Sequence, residues 1–247
     1  MGRIILVTGR EKRGVGYLPR SVAHLESRPE RPFWLDFLSP SERLLYRLSI
    51  PFKFDPRAVR ACLSRHLEPC CEDFGRYLFI RTSLLEPSRQ SLFIQHDFKI
   101  FLASRYLITI HTGSTPLRYQ LSSSQLSGFT QTGTLLLTLF DSLICGLMKS
   151  LCSEQNSRDL PLQECDQTER NPIWWRLRNF RAALLRHVNL LHEIAFVGSR
   201  FFNRDDRGAF GSVKAKICFL CDIIDELLSG MDPCVNTTLA EGKKKIL

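Results

Sequence analysis

The chain has 247 residues, of which 44% are apolar and 24% charged, a composition typical of a globular protein with a sizeable core. Its longest apolar stretch, residues 135–151, contains Asp141 and Lys149, which are costly at membrane depth, so we expect no transmembrane segment. The net charge of +9 comes from scattered arginines with few aromatic residues between them, which argues against nucleic-acid binding and favours an anionic membrane surface as a partner.

The first 32 residues are rich in Gly, Pro and Arg and show no sustained hydrophobic period. We therefore predict a flexible basic arm over residues 1–32, with one short strand at residues 4–8. A short apolar run followed by basic residues is the reverse of a secretory signal, which favours the cytoplasm or the cytoplasmic face of a membrane. The nine cysteines lack the spacing of a disulfide framework, so we expect free, mostly buried thiols.

An α/β domain is predicted over residues 33–120. It opens with a short strand at residues 34–38 and continues with two helices, because an N-cap residue and a proline stand at Ser39-Pro40 and again at Asp55-Pro56. The first helix should end near Leu48 and the second before Pro69. Segments rich in Phe, Ile and Tyr then predict a sheet built partly of hairpins, with strands at residues 77–82, 91–96, 98–102 and 106–111.

The second half, residues 121–230, is predicted to be helical after a polar loop at residues 121–133. One apolar stripe follows residues 136–151 at helical spacing. A second stripe at residues 173–195 steps by four and three, a pattern that suits packing against another long helix. A last helix should cover residues 213–228, and residues 231–247 read as a polar tail.

The most specific motif of the chain lies between Pro69 and His111. PCCEDFGRYLFI, at residues 69–80, resembles the P-x-x-E-x-F-x-x-Y-x-F-I stretch of CorA-type magnesium transporters. FKIFLASRYLITIH, at residues 98–111, resembles the strand pair that follows it in that family. The resemblance extends over residues 34–228 and implies an α/β/α sandwich with a mixed sheet, followed by long stalk-type helices. It also implies a homo-oligomer, which is a pentamer in the family, and a role in divalent-cation transport.

The resemblance points to one metal site. Asp222-Ile223-Ile224-Asp225 is similar to the family's aspartate pair on the helix that leads to the pore, where the first carboxylate binds a regulatory divalent ion between subunits. Asp222 and Asp225 are therefore the metal candidates, and Mg²⁺ is the implied ion, bound weakly because it retains water ligands. Where the family supplies an acidic partner, this chain has Arg60-Ala61. The alternative for both aspartates is a solvated acidic face near a helix end.

Two functional hypotheses follow. The first is a cytosolic regulatory domain of a CorA-like Mg²⁺/divalent metal-ion transporter, a weak homo-oligomer that is not transport-competent alone because the family's glycine-methionine-asparagine pore signature does not occur in this sequence. The alternative is a soluble CorA-like interaction protein that binds no metal.

An enzymatic function is not predicted. The T-G-x4-G-x-G spacing of residues 8–16 is one residue longer than the dinucleotide-binding turn of short-chain dehydrogenases, and that family's catalytic Tyr-Lys pair does not occur. His66, His96 and His111 stand on different elements, and without a nucleophile nearby we interpret them as structural.

Overall fold

The computed structural model describes residues 3–8, 11–15, 32–64, 68–88, 92–113, 117–127, 129–156 and 172–230. They contain seven strands: β1 (Arg3–Thr8), β2 (Glu11–Val15), β3 (Phe33–Leu38), β4 (Cys70–Asp73), β5 (Leu78–Ser88), β6 (Leu92–Leu102) and β7 (Tyr106–His111). The strands form one sheet in the order β2-β1-β3-β7-β6-β5-β4. Because β3 and β7 run parallel while the other neighbours run antiparallel, the sheet is mixed, as predicted.

The described helices are α1 (Glu42–Phe52), α2 (Pro56–Leu63), α3 (Ser123–Ser127), α4 (Thr132–Asn156), α5 (Pro172–Val197) and α6 (Asp206–Gly230). The predicted cap of α2 is confirmed, since the Asp55 carboxylate accepts the backbone N–H of Arg57 at 2.7 Å. Helix α1 instead has Ser41 at its N-cap position and continues to Phe52.

Strands β5 and β6 are longer than the sequence predicts. They pair without interruption from Leu78 opposite Leu102 to Ser88 opposite Leu92, across the breaks predicted at Pro87 and between His96 and Phe98. Strand β4 pairs only with Leu78–Arg81, so the far half of β5 forms an edge of the sheet. Proline is tolerated at a sheet edge, where a missing N–H donor breaks no ladder.

The predicted basic arm contains more structure than expected. Strand β1 confirms the strand predicted at residues 4–8, but β2 was not predicted, and both belong to the sheet through antiparallel pairing of β1 with β3. The described residues of this stretch, Thr8 and Glu11–Val15, belong to two antiparallel strands and not to the strand–turn–helix unit that binds a dinucleotide, which agrees with the rejection of that motif. Residues 16–31, the stretch 157–171 and the predicted polar tail, 231–247, lie outside the described residues.

Helices cover both faces of the sheet, which confirms the α/β/α sandwich. Alternating side chains of the strands divide the apolar residues into two cores because successive residues point to opposite faces. Phe37, Phe79 and Phe101 pack against α1 and α2. Trp34, Ile80 and Ile100 belong to the larger core that includes α4, α5 and α6. All the described strands lie before the boundary predicted between residues 120 and 121, but the larger core contains residues from both sides of it.

A buried polar network joins β3 to β7. The side chains of Asp36 and His111 are fully buried, with Oδ1 and Nε2 3.2 Å apart. Thr109 donates its hydroxyl to Asp36 Oδ1 at 2.6 Å and accepts the indole N–H of Trp34 at 2.8 Å. The other carboxylate oxygen of Asp36 accepts the backbone N–H of Leu117 at 2.8 Å. The network fixes the parallel strand pair and the chain that leads into the helical layer.

Lys99 ties α2 to the sheet. Its buried ammonium group donates to the carbonyl oxygens of Cys62 at 2.8 Å and Ser64 at 3.0 Å, and lies 3.2 Å from Asp97 Oδ2. A cation at the end of a helix stabilises carbonyl groups that have no partner within the helix. Burial also raises the pKa of the neighbouring Cys62 thiol to about 12, so this cysteine stays protonated.

Candidate metal site on the last helix

Helix α6 is fixed at its start by a reciprocal cap. Asp206 donates its backbone N–H to the Asn203 side chain at 2.9 Å, and Asn203 donates its own to the Asp206 carboxylate at 2.8 Å. Asp206 also accepts the hydroxyl of Thr134 on α4 at 2.9 Å. The apolar side of α6, with Val213 and Ile217 buried, then packs into the larger core.

Two ion pairs join α6 to its neighbours. Lys216 Nζ lies 2.5 Å from Asp141 Oδ1 on α4, and Arg181 Nε on α5 lies 2.6 Å from Asp225 Oδ1. The hydrogen bond that Lys216 donates to Asp141 raises the pKa of Lys216. Because all four side chains are partly exposed, each pair stabilises the fold by about 1 kcal/mol or less. The pairs orient α6 more than they stabilise it.

The two predicted metal ligands have different surroundings. Asp222 is exposed and makes no hydrogen bond or ion pair with a residue that the structure describes. Asp225 is half-buried and is neutralised by Arg181. Among the described residues, no group of three or more His, Cys, Asp or Glu side chains could hold a metal ion. Of the two predicted ligands, only the Asp222 carboxylate is therefore open, with the exposed Glu226 one turn further along α6, which suits weak binding of a hydrated divalent ion at most.

Arg60 and Ala61 lie on the other side of the molecule from Asp222. Ala61 packs against the core under α1 and α2, whereas α6 belongs to the core on the opposite face of the sheet. A carboxylate at position 61 could consequently meet Asp222 only across two copies of the chain.

The exposed face of α6 carries small residues at alternating steps of three and four: Gly208, Gly211, Ala215 and Cys218, followed by Asp222. We call this set the α6 stripe. A Cβ atom at Gly208 or Gly211 would meet nothing within 4 Å in the same chain. Because a side chain would fit at both positions, nothing within the chain's own described fold requires these glycines. Each also costs about 1 kcal/mol of helix stability relative to alanine. They would let another backbone approach closely.

The remaining sequence candidates are structural. His96 lies 3.4 Å from Glu86, and the buried His111 pairs with Asp36. The ring nitrogens of His187 contact two backbone carbonyl oxygens at 2.7 and 2.8 Å, and burial lowers its pKa. His66 lies outside the described residues. The six cysteines whose side chains the structure describes are free, but only Cys62 and Cys221 are buried, fewer than expected.

One described helix is long and apolar enough to cross a bilayer. It is the Thr132–Leu151 part of α4, with a mean hydropathy of 1.5. This criterion considers only the length and the composition of a helix, and the core helix of a soluble protein meets it as well. In this structure Leu136, Leu139 and Leu147 of that segment are buried in the core shared with the sheet and α6.

Solved structures share the whole architecture. The full-length CmaX protein superposes with a TM-score of 0.73 at 15% identity, covering 99% of this chain and 79% of its own. The soluble domain of CorA from Methanocaldococcus jannaschii gives 0.71 at 16% identity, covering 92% of this chain and 93% of its own. The ZntB cytoplasmic domain from Vibrio parahaemolyticus gives a TM-score of 0.70 at 10% identity, covering 99% of this chain and 100% of its own. At these identities the likeness establishes the fold, that of CorA-type soluble domains.

The sequence itself establishes the family. A family model described as CorA-like Mg²⁺ transporter protein matches residues 30–232. The chain therefore belongs to the CorA-like Mg²⁺ transporter family. A comparison with curated proteins gave no match.

Proposed function

We propose that the chain is the cytosolic regulatory domain of a CorA-like Mg²⁺/divalent metal-ion transporter, in which weakly bound Mg²⁺ promotes packing between copies. The observation that carries the proposal is the exposed Asp222 at the end of the α6 stripe, which pairs with none of the residues that the structure describes. A face of small residues allows two helices to approach closely, and a carboxylate on that face repels its counterpart unless a cation lies between them.

Self-association through this face should be weak. The stripe is short, and its one charged member opposes contact in the absence of metal. Mg²⁺ binds carboxylate oxygens while keeping several waters, so a single carboxylate from each copy makes a low-affinity bridge. Low affinity suits a sensor that must respond to changes in the concentration of an abundant ion. The net charge of +9 would additionally favour a position near an anionic membrane surface.

A specific observation supports a second function, that of an interaction protein without metal. The pairing of Asp225 with Arg181 removes one of the two predicted ligands. Position 61, where the family resemblance implies an acidic partner, holds alanine. Under this alternative the α6 stripe contacts a partner directly, and Mg²⁺ has no effect beyond that of ionic strength.

The Asp222→Ala variant distinguishes the two functions. If Asp222 binds Mg²⁺ no tighter than about millimolar, binding contributes about 4 kcal/mol at the standard state and raises the melting temperature when metal is in excess. Asp222→Ala should abolish this rise. Melting curves with Mg²⁺ and with NaCl of matched ionic strength measure the rise.

Glu193→Ala, which removes an exposed carboxylate from α5, is the matched control and should leave the Mg²⁺-dependent rise unchanged. If the wild-type chain shows no rise beyond that of matched ionic strength, or Asp222→Ala retains it, the metal site does not exist and the interaction-protein function replaces it.

We further expect these 247 residues to transport nothing by themselves. A segment crossing lipid must turn its apolar side chains outwards, whereas α4, the described helix apolar enough to do so, buries its own in the core. Cells without magnesium uptake of their own should therefore not grow at low magnesium when they express this chain, while a full-length transporter of the family restores growth. Growth with this chain alone would contradict the expectation.

A further inference from the structure

A pocket of about 410 Å³ opens at the end of the sheet where α1 ends, a volume within the range of small-molecule sites. Its wall carries three cationic side chains above an aromatic floor: Lys53, Arg76 and Arg105 over Phe33, Phe52 and Tyr106. No acidic side chain is among the described residues that line it. The pocket lies on the α1 side of the sheet, away from the α6 stripe.

Two of the cations project from rigid turns. Lys53 follows α1 in the left-handed conformation, with φ of 50°, and donates its backbone N–H to Ile50 at 3.3 Å. Arg105 lies in the tight turn between β6 and β7, which is closed by the Ala103 N–H donating to Tyr106 at 2.9 Å. The carbonyl oxygen of Arg105 also accepts the N–H of Phe33 at 3.1 Å, which joins this turn to the start of β3.

The third cation, Arg76, projects from the turn between β4 and β5. Arg200 holds this turn with two bonds to the Asp73 carboxylate, at 2.6 and 2.5 Å, and one to the Gly75 carbonyl oxygen at 3.0 Å. The same carboxylate accepts the N–H of Gly75 at 2.7 Å. Neither the Arg76 guanidinium nor the Lys53 ammonium makes a hydrogen bond or ion pair with another described residue. Both are therefore available to a ligand.

The floor is suited to a flat apolar group. The rings of Phe52 and Tyr106 meet edge to face with centroids 4.9 Å apart, and Phe33 lies 6.2 Å from Phe52. Phe33 and Phe52 are nearly inaccessible, so the half-buried Tyr106 ring offers the contact surface. The guanidinium group of arginine and the ammonium group of lysine donate hydrogen bonds to phosphate oxygens. The face of an aromatic ring stacks on a nucleic-acid base.

We propose that this pocket binds a phosphate ester carried on a flat ring system, of the nucleoside phosphate class. Lys53, Arg76 and Arg105 contact the phosphate, and Tyr106 contacts the ring. The site is independent of the proposed Mg²⁺ response, because it uses none of the residues of α6.

Isothermal titration of the full chain in EDTA tests the site with three probes: adenosine monophosphate, ribose 5-phosphate and inorganic phosphate. Adenosine monophosphate should bind at least about tenfold more tightly than the other two, since only it reaches the aromatic floor. Lys53→Asn and Arg76→Gln should each weaken its binding about tenfold or more through loss of a charge-assisted hydrogen bond. Asparagine tolerates the left-handed conformation of position 53, so the helix end is retained.

Arg207→Gln removes an exposed arginine at the start of α6 and should leave the affinity unchanged. Added NaCl should weaken binding of adenosine monophosphate to the wild type, since the contacts are between charged groups at the surface. The proposal is overturned if adenosine monophosphate does not bind at millimolar concentration, or if Lys53→Asn and Arg76→Gln bind it as tightly as the wild type. Equal affinities for adenosine monophosphate and inorganic phosphate would overturn the nucleoside phosphate class.

Discussion

Replacing Asp36 with alanine is expected to lower the free energy of unfolding by about 3–5 kcal/mol, because it removes a buried carboxylate that accepts two hydrogen bonds, and each buried donor left without a partner costs about 1–3 kcal/mol. The Thr109 hydroxyl and the Leu117 backbone N–H would lose their buried acceptor at the same time. The buried His111 ring would lose the carboxylate that lies 3.2 Å from its Nε2. Urea denaturation followed by circular dichroism gives the change in unfolding free energy.

Asp205→Ala is the matched control, since this aspartate is exposed and lies one residue before α6. Its effect should stay within about 0.5 kcal/mol, as for most surface substitutions. A loss below about 1 kcal/mol for Asp36→Ala would mean that the network is not the buried strand-to-strand link that we describe.

The second large effect is expected for Lys99→Met, which keeps the length of the side chain but removes its charge and its donors. The carbonyl oxygens of Cys62 and Ser64 would lose a charged donor, and Asp97 would lose its cation. We expect a loss of about 3 kcal/mol, the upper range for hydrogen bonds to charged groups. Urea denaturation measures it.

Lys214→Met, on the exposed face of α6, provides the comparison for Lys99→Met and should change stability by less than about 0.5 kcal/mol. Equal stabilities of the two variants would show that the buried ammonium does not hold the end of α2.

The order of elements could be predicted because its signals are local. Helix α5 covers the apolar stripe predicted at residues 173–195, and Asp55 caps α2 as its sequence indicates. Helix α6 begins seven residues before the predicted Val213, because the reciprocal cap between Asn203 and Asp206 lies outside the apolar stripe. Strand β2 was missed because its residues, EKRGV, show no apolar alternation, and its place in the sheet comes from backbone pairing with β1.

The functional surfaces could be predicted only in part. Helical spacing is sufficient to put Asp222 and Asp225 on neighbouring parts of one helix. The neutralisation of Asp225 depends on how α5 and α6 are aligned, which brings Arg181 beside it, and no local pattern encodes that alignment. The cationic pocket could not be predicted from the sequence for the same reason. Lys53, Arg76 and Arg105 come from three separate turns, and only the complete sheet brings those turns to one end.

The proposed regulation is tested most directly by light scattering of the full chain at micromolar concentration. The chain is measured in metal-free buffer, in tens of millimolar Mg²⁺ and in NaCl of matched ionic strength. We expect a monomer or weak oligomer without metal and a rise in average mass with Mg²⁺ alone. Asp222→Ala should abolish the rise, as should Gly211→Leu, which adds bulk to the α6 stripe where its own chain leaves open space. A stable pentamer in metal-free buffer, or a mass that does not respond to Mg²⁺, would contradict Mg²⁺-linked packing of this domain.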